Sequence, residues 1–487
     1  MNTMKRWFYA LMAVALVSAL LLMMRNSPAS AEAPAPESGD TALGKLMFFD
    51  ENLSANGTQS CAACHGPEVG FTGPDSLVNA GGAVYPGALP NRFGNRKPPA
   101  SAYAGDSPVL HFDETKGAWF GGMFWDGRAT GAHLGDPLAE QAQGPFLNPL
   151  EQAIASAQAL CVKVKNSDYA DLFEEVWGTG SLNCAKDVDG VYEKIGRSVA
   201  AYERSLEVNP FSSKFDLFWD NATAAGKDVT KIKCGMGGGG GMGGMGGMGG
   251  MGGMACPGGG SDPYRWTAYR NLGLTDAELQ GLAVFNDRAE CASCHSLEPG
   301  PAGYPLFTNF GYANIGVPKN PDNPFYTMPE VWNPDGENWV DYGLGDFLKS
   351  AGYAPEVYEP EMGKHKVPTL RNVDLRPSED FVKAYGHNGY FKSLEDIVFF
   401  YHWRAMMDGG CMRGGMGGGG CMHAGMGGGC MRAGMGGGGG MGCYGMADMF
   451  PPPEVDQNRA PLNMIPMMQI DNIVAFLKTL SDGYFQR

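Results

Sequence analysis

The sequence predicts a mostly α-helical protein with two globular regions and two low-complexity insertions. Three observations predict it. Apolar residues recur at helical spacing, as at Ile195, Val199 and Tyr202. The pattern C-x-x-C-H occurs twice, as CAACH at 61–65 and CASCH at 291–295, one copy in each region. Two tracts of glycine and methionine interrupt the chain, CGMGGGGGMGGMGGMGGMGGMAC at 234–256 and a cysteine-containing one at 409–443. No packed core can form from them, because glycine loses the most entropy on ordering.

The N-terminus has a charged start at Lys5 and Arg6, an apolar run at 7–24 and a small-residue site at Ala29-Ser30-Ala31. Residues 1–31 therefore read as a cleaved export signal, which puts the mature protein in the periplasm or outside the cell. An uncleaved membrane anchor is the alternative, since the apolar run is long for a signal. No second stretch could span a bilayer. Cleavage removes three cations and no acids, moving the net charge from −16 to −19. Such a surface does not suit nucleic acid or anionic membrane.

The first globular region runs over 32–210, opening on an Ala/Pro/Glu-rich lead-in. Helices are expected at Pro149–Val164 and Val191–Leu206. Residues 211–268 read as a linker carrying the first Gly/Met tract. The second region spans 269–487. It opens on the helix LTDAELQGLAVF, with Thr275 as N-cap and Glu278 closing a capping box. It closes on the amphipathic segment MIPMMQIDNIVAFLKTL.

C-x-x-C-H is the attachment motif of c-type haem: two thiols reach the porphyrin vinyl groups, and the adjacent histidine lies beneath the iron. A zinc or thioredoxin-like reading explains neither the histidine in both copies nor the export signal. Cys61, Cys64, Cys291 and Cys294 are then haem attachments, and His65 and His295 proximal ligands. In an oxidising compartment the other cysteines should pair, with Cys161–Cys184 and Cys234–Cys256 as the natural local choices. Cys411, Cys421, Cys430 and Cys443 remain. With the adjoining methionines and His423 they offer soft ligands for copper(I). The alternative is a loop whose methionines absorb oxidant.

Several segments resemble the bacterial dihaem cytochrome c peroxidase family, which includes the MauG-type enzymes. They are GKLMFFDENLSANGTQSCAACH, GGMFWDGRA, LAEQAQGPFLNPLEQ, KVPTLRNVDLRP and HNGYFKSLEDIVFFY. The resemblance implies two cytochrome-c-like helical domains, a peroxide-reacting haem in the first and an electron-transfer haem in the second. It implies a relay tryptophan at Trp125, a distal glutamine and glutamate at Gln141 and Glu151, and a propionate-side arginine at Arg371. The family also binds calcium between its domains, partly through an asparagine of an RN-x-P segment; here NRKPP stands there, and Asn95 is the candidate, displaced from the family register.

Two departures stand out. The insertion TGAHLGD separates the Trp125 motif from the distal-pocket segment. The loop after the first haem lacks the histidine that caps that iron in many relatives. His111 and His133 are the nearest substitutes, and each reads as an ordinary loop histidine. The first haem is therefore expected to be open to peroxide without prior reduction.

The segment SLEDIVFFYHWRAMM at 393–407 decides the second haem's ligand. In the family, the position seven residues after the leucine of this segment carries methionine in ordinary peroxidases and tyrosine in MauG-type members. Here it is Tyr401. Met406 and Met407 are the alternative, and His402 would point to another helix face. A thioether favours ferrous iron, whereas a phenolate donates charge and favours higher oxidation states. Three readings follow: a MauG-type oxidase of a partner protein, a scavenging peroxidase fed by a small cytochrome or copper protein, and a non-catalytic electron carrier or copper-binding protein.

Overall fold

The structure is a computed structural model and describes residues 38–235, 256, 262–408 and 449–486. The export signal and nearly all of both Gly/Met tracts, with Cys411, Cys421, Cys430 and Cys443, lie outside those residues. Among the described residues, no helix is long and apolar enough to cross a membrane.

Gly39–Gln486 cluster as one unit, within which two large apolar cores form. The first core is built by helices α1 (Gly39–Phe49), α2 (Pro137–Leu147), α3 (Ala157–Lys165) and α4 (Val188–Glu203). Phe48, Phe146, Phe173 and Tyr202 fill it. The second is built by α5 (Lys214–Ala224), α6 (Asp276–Ala283), α7 (Leu394–Met406) and α8 (Ile470–Lys478). There Phe215, Phe285, Phe307 and Phe476 make a cluster of edge-to-face and tilted rings.

The two cores share a construction. In each, the opening helix crosses a later helix at a glycine. A Cβ on Gly44 of α1 would stand 1.8 Å from the Ser198 carbonyl oxygen of α4. A Cβ on Gly281 of α6 would stand 1.9 Å from the Asn472 carbonyl oxygen of α8. Only glycine permits backbones to approach this closely. Strands are few: β1 (His111–Asp113) pairs antiparallel with β2 (Ala118–Phe120), and β3 (Tyr312–Ala313) with β4 (His365–Lys366).

Local signals hold where they are strong. Thr275 and Glu278 make the expected capping box on α6, and the closing amphipathic helix is α8. Both expected disulfides form, Cys161–Cys184 and Cys234–Cys256, the second tying off the first Gly/Met tract. Three expectations need correction. The helix expected from Pro149 begins at Ala157, where Ser156 caps it, because the chain first turns through Ala153 at φ +57°. The helix expected over 191–206 runs from Val188 to Glu203, started by the Asp187 cap. The expected linker includes α5, opened by a Ser213–Asp216 capping box, and its Phe215 and Phe218 are fully buried in the second core. The TGAHLGD insertion is pinned by Glu140, whose carboxylate accepts from the amides of Gly131, His133 and Leu134.

Candidate functional site

Each C-x-x-C-H motif folds as a single tight turn. The Cys64 and His65 amides donate to the Cys61 carbonyl at 3.1 and 3.0 Å; those of Cys294 and His295 donate to the Cys291 carbonyl at 3.2 and 2.8 Å. The turn puts both thiols and the imidazole on one side, as residues three and four apart share a helical face. All four cysteines are free thiols. Burial pushes the Cys64 and Cys291 thiols up to about 12, so they rest protonated.

The histidines are held alike. His65 Nδ1 donates to the Phe71 carbonyl at 3.1 Å and lies 3.2 Å from Ser101 Oγ. His295 Nδ1 donates to the Phe307 carbonyl at 2.9 Å. Burial lowers both imidazoles, His65 to about 4, and keeps them neutral. A neutral ring with Nδ1–H engaged keeps the Nε2 lone pair for a metal.

Beside His295 opens a cavity of about 310 Å³. Cys291, Cys294 and one stripe of α7 line it: Leu394, Ile397, Val398 and Tyr401. These recur at i, i+3, i+4 and i+7, the spacing of a single helix face. Burial and the nearby Cys291 and Cys294 sulfurs push the Tyr401 phenol far up, so it stays neutral unless a cation meets its oxygen. Met406 and Met407 do not line the cavity. His402 faces elsewhere, buried, with Nδ1 donating to the Ile465 carbonyl at 2.5 Å.

Arg371 also lines this cavity, fully buried. Its Nη1 is 2.8 Å from both carboxylate oxygens of Asp216, and its Nε donates to the Pro305 carbonyl at 2.8 Å. Its Nη2 has no partner among the described residues. A spare guanidinium donor, two free thiols and a histidine lone pair around one cavity fit a c-type haem, which Cys291, Cys294 and His295 would hold and to whose carboxylates Arg371 could donate. The same thiol–thiol–histidine set at Cys61, Cys64 and His65 fits a second. Such haems supply an iron that can take peroxide or hold an oxidising equivalent.

Trp125 is buried and lines both the large cavity and a smaller one of about 50 Å³. Its indole N–H donates to the Lys97 carbonyl at 2.8 Å, and the Lys97 amide donates to the His387 carbonyl at 2.9 Å. The Lys97 ammonium is buried as well, donating to Thr72 Oγ1 and the Pro98 carbonyl, and burial lowers it to about 8. Asn95 engages through its own carbonyl, which accepts from Asn323 Nδ2 at 3.0 Å. His111 and His133 are exposed and line neither cavity.

Glu151 follows α2 in the turn that begins at Asn148, and its charge is felt by both Cys61 and Cys64. Burial raises its carboxyl, against the opposing pull of Arg128 and a hydrogen bond with Asn148. A carboxyl that keeps its proton more readily is suited to move one between peroxide oxygens. Gln141 lies half-buried on α2, one position before Ala142 of the first core.

Sequence reasoning missed Glu203. It is buried at the end of α4, hydrogen-bonded with Ser101, which in turn touches His65. Its Oε2 has no partner among the described residues, and burial lifts the carboxyl to about 7 from an ordinary 4.5. The folded protein thus holds a proton that the unfolded chain releases near 4.5. Stability through this group is fully present at acid pH and falls as pH rises to about 7, by on the order of 3 kcal/mol. Glu203→Gln should flatten that part of the profile, measured as the difference in denaturation midpoint between pH 5 and pH 8.

The sequence model described as di-haem cytochrome c peroxidase matches residues 38–224. The chain is 30% identical over 392 residues to the methylamine utilization protein MauG of Paracoccus denitrificans, covering 80% of this chain and 81% of that one. It is 29% identical to the cytochrome c551 peroxidase of Nitrosomonas europaea, covering 77% of each. The crystal structure of the diheme peroxidase BthA from Burkholderia thailandensis superposes with a TM-score of 0.60 at 27% identity, over 93% of this chain and 89% of that one. The paired thiol–thiol–histidine turns and these likenesses agree: the chain belongs to the di-haem cytochrome c peroxidase family and is a haem peroxidase-type oxidoreductase.

Proposed function

We propose that this enzyme reacts with hydrogen peroxide at a haem held by Cys61, Cys64 and His65, and draws the matching electrons from a partner protein by way of a second haem held by Cys291, Cys294, His295 and Tyr401. Each core described above then serves as one haem domain, and the protein acts in the periplasm after its signal is removed. Glu151 moves the proton between peroxide oxygens, Gln141 adds polarity beside it, and Trp125 carries charge between the sites. Calcium at Asn95 and copper at the Cys/Met tract are secondary proposals.

One observation carries the MauG-type reading: Tyr401, and neither Met406 nor Met407, faces the cavity into which His295 points. A phenolate on that iron lowers its potential and makes it a place to hold an oxidising equivalent. Tyr401→Met should raise the potential of the second haem. Peroxide consumption with an added small-molecule donor should persist in this variant, while oxidation of a protein substrate stops. An unchanged potential would remove Tyr401 from the iron and favour a scavenging peroxidase.

A further inference from the structure

We propose that Asp341, His365, His387 and Glu454 form a non-haem metal site for one divalent first-row transition-metal ion of the zinc or copper(II) class. The ligand atoms of Asp341, His365 and His387 lie within 4.8 Å of one another, and all three residues are buried. Three polar atoms converge there without a hydrogen-bond partner among the described residues: Nε2 of His365, Nε2 of His387 and Oε2 of Glu454. The two histidines are 9% and 7% exposed, and the Glu454 side chain is 3% exposed. Buried polar atoms left unpaired are costly, so such a convergence calls for an occupant.

The local tautomer says what kind of occupant. His365 Nδ1 lies 3.2 Å from the Gly363 carbonyl, which fixes the proton on that nitrogen. The Nε2 lone pair then faces Asp341 Oδ1 at 3.1 Å. His387 Nε2 lies 3.9 Å from Asp341 Oδ2 and 3.9 Å from Glu454 Oε2. Lone pairs and carboxylates facing one another repel unless a cation sits between them. All four residues line the cavity assigned above to the second haem, and a haem propionate at this point would meet the two carboxylates beside the imidazoles.

Asp341 is oriented as a ligand would be. Arg96 grips it through Nε to Oδ2 at 2.6 Å and Nη2 to Oδ1 at 2.7 Å, and the Gly343 amide donates to Oδ1 at 3.0 Å. Oδ1 is thereby filled, and Oδ2 keeps one lone pair. Arg96 is balanced in turn by Asp126 at 2.5 Å. Asp341 and Glu454 together neutralise a divalent ion. Two nitrogens and two oxygens suit zinc or copper(II); calcium asks for more oxygens, and copper(I) for sulfur. The imidazoles stack with centroids 3.6 Å apart and 11° between planes, so binding must splay the rings until both lone pairs meet the ion.

The test uses the full haem-loaded protein, incubated with zinc(II), freed of loose ion and measured for zinc content and zinc-edge X-ray absorption. About one zinc per chain is expected, with nitrogen and oxygen neighbours only and two imidazoles among them. His365→Gln and His387→Gln should each lose most of the retained zinc while keeping both haems by Soret absorbance. No retained zinc in the wild type would overturn the proposal. So would sulfur neighbours, which would put the ion in the Cys/Met tract. Full retention in the two variants would overturn it as well. The wild-type absorption edge decides the matter even where a variant fails to fold.

Discussion

Glu151→Gln should slow the reaction with hydrogen peroxide by roughly 10²–10⁴-fold, the usual loss when a general acid–base group is removed. The substitution keeps the size and polarity of the side chain and deletes only its capacity to take and give a proton. Glu151 stands close enough to Cys61 and Cys64 to bias both thiols, and burial raises its own carboxyl. A Gln141 substitution should cost less, since that side chain supplies polarity without a transferable proton. Stopped-flow absorbance at the Soret band measures both. A wild-type rate in Glu151→Gln would move proton transfer to another group.

Removing the first thiol pair should have the largest effect. Cys61→Ala with Cys64→Ala should leave one covalent haem per chain and no peroxide reaction. Cys291→Ala with Cys294→Ala should also leave one haem, but one that still binds peroxide. The two turns are built by the same amide-to-carbonyl bonds. The difference lies in what faces each: Glu151 acts on the first pair, whereas Tyr401 lies beside the second. Covalent haem survives extraction with acid acetone, so release of both haems from the wild type would contradict the attachment.

What could be read in advance was local or tied to a family motif. The C-x-x-C-H turns, the Thr275–Glu278 box and both disulfides each depend on residues a short stretch of chain apart. Tyr401 was legible from the resemblance, as the residue seven positions after Leu394, and Leu394, Ile397, Val398 and Tyr401 line the cavity together from one helix face. Features that depend on distant segments were not. Asp341, His365 and His387 meet from three separate stretches, and no spacing rule connects them. Glu203 read as one more residue of an amphipathic helix; only the fold brings Ser101 between it and His65. Helix α5 was hidden by the glycine tract that follows it, although its Ser213–Asp216 cap is a local signal that was there to be seen.

The axial ligand of the second haem in the oxidised protein is the most direct test of the account. Resonance Raman spectroscopy excited into the phenolate-to-iron charge-transfer band should show tyrosinate modes, and they should vanish in Tyr401→Met. Sulfur coordination from Met406 or Met407 would contradict the account and leave an ordinary electron-transfer haem in a scavenging peroxidase.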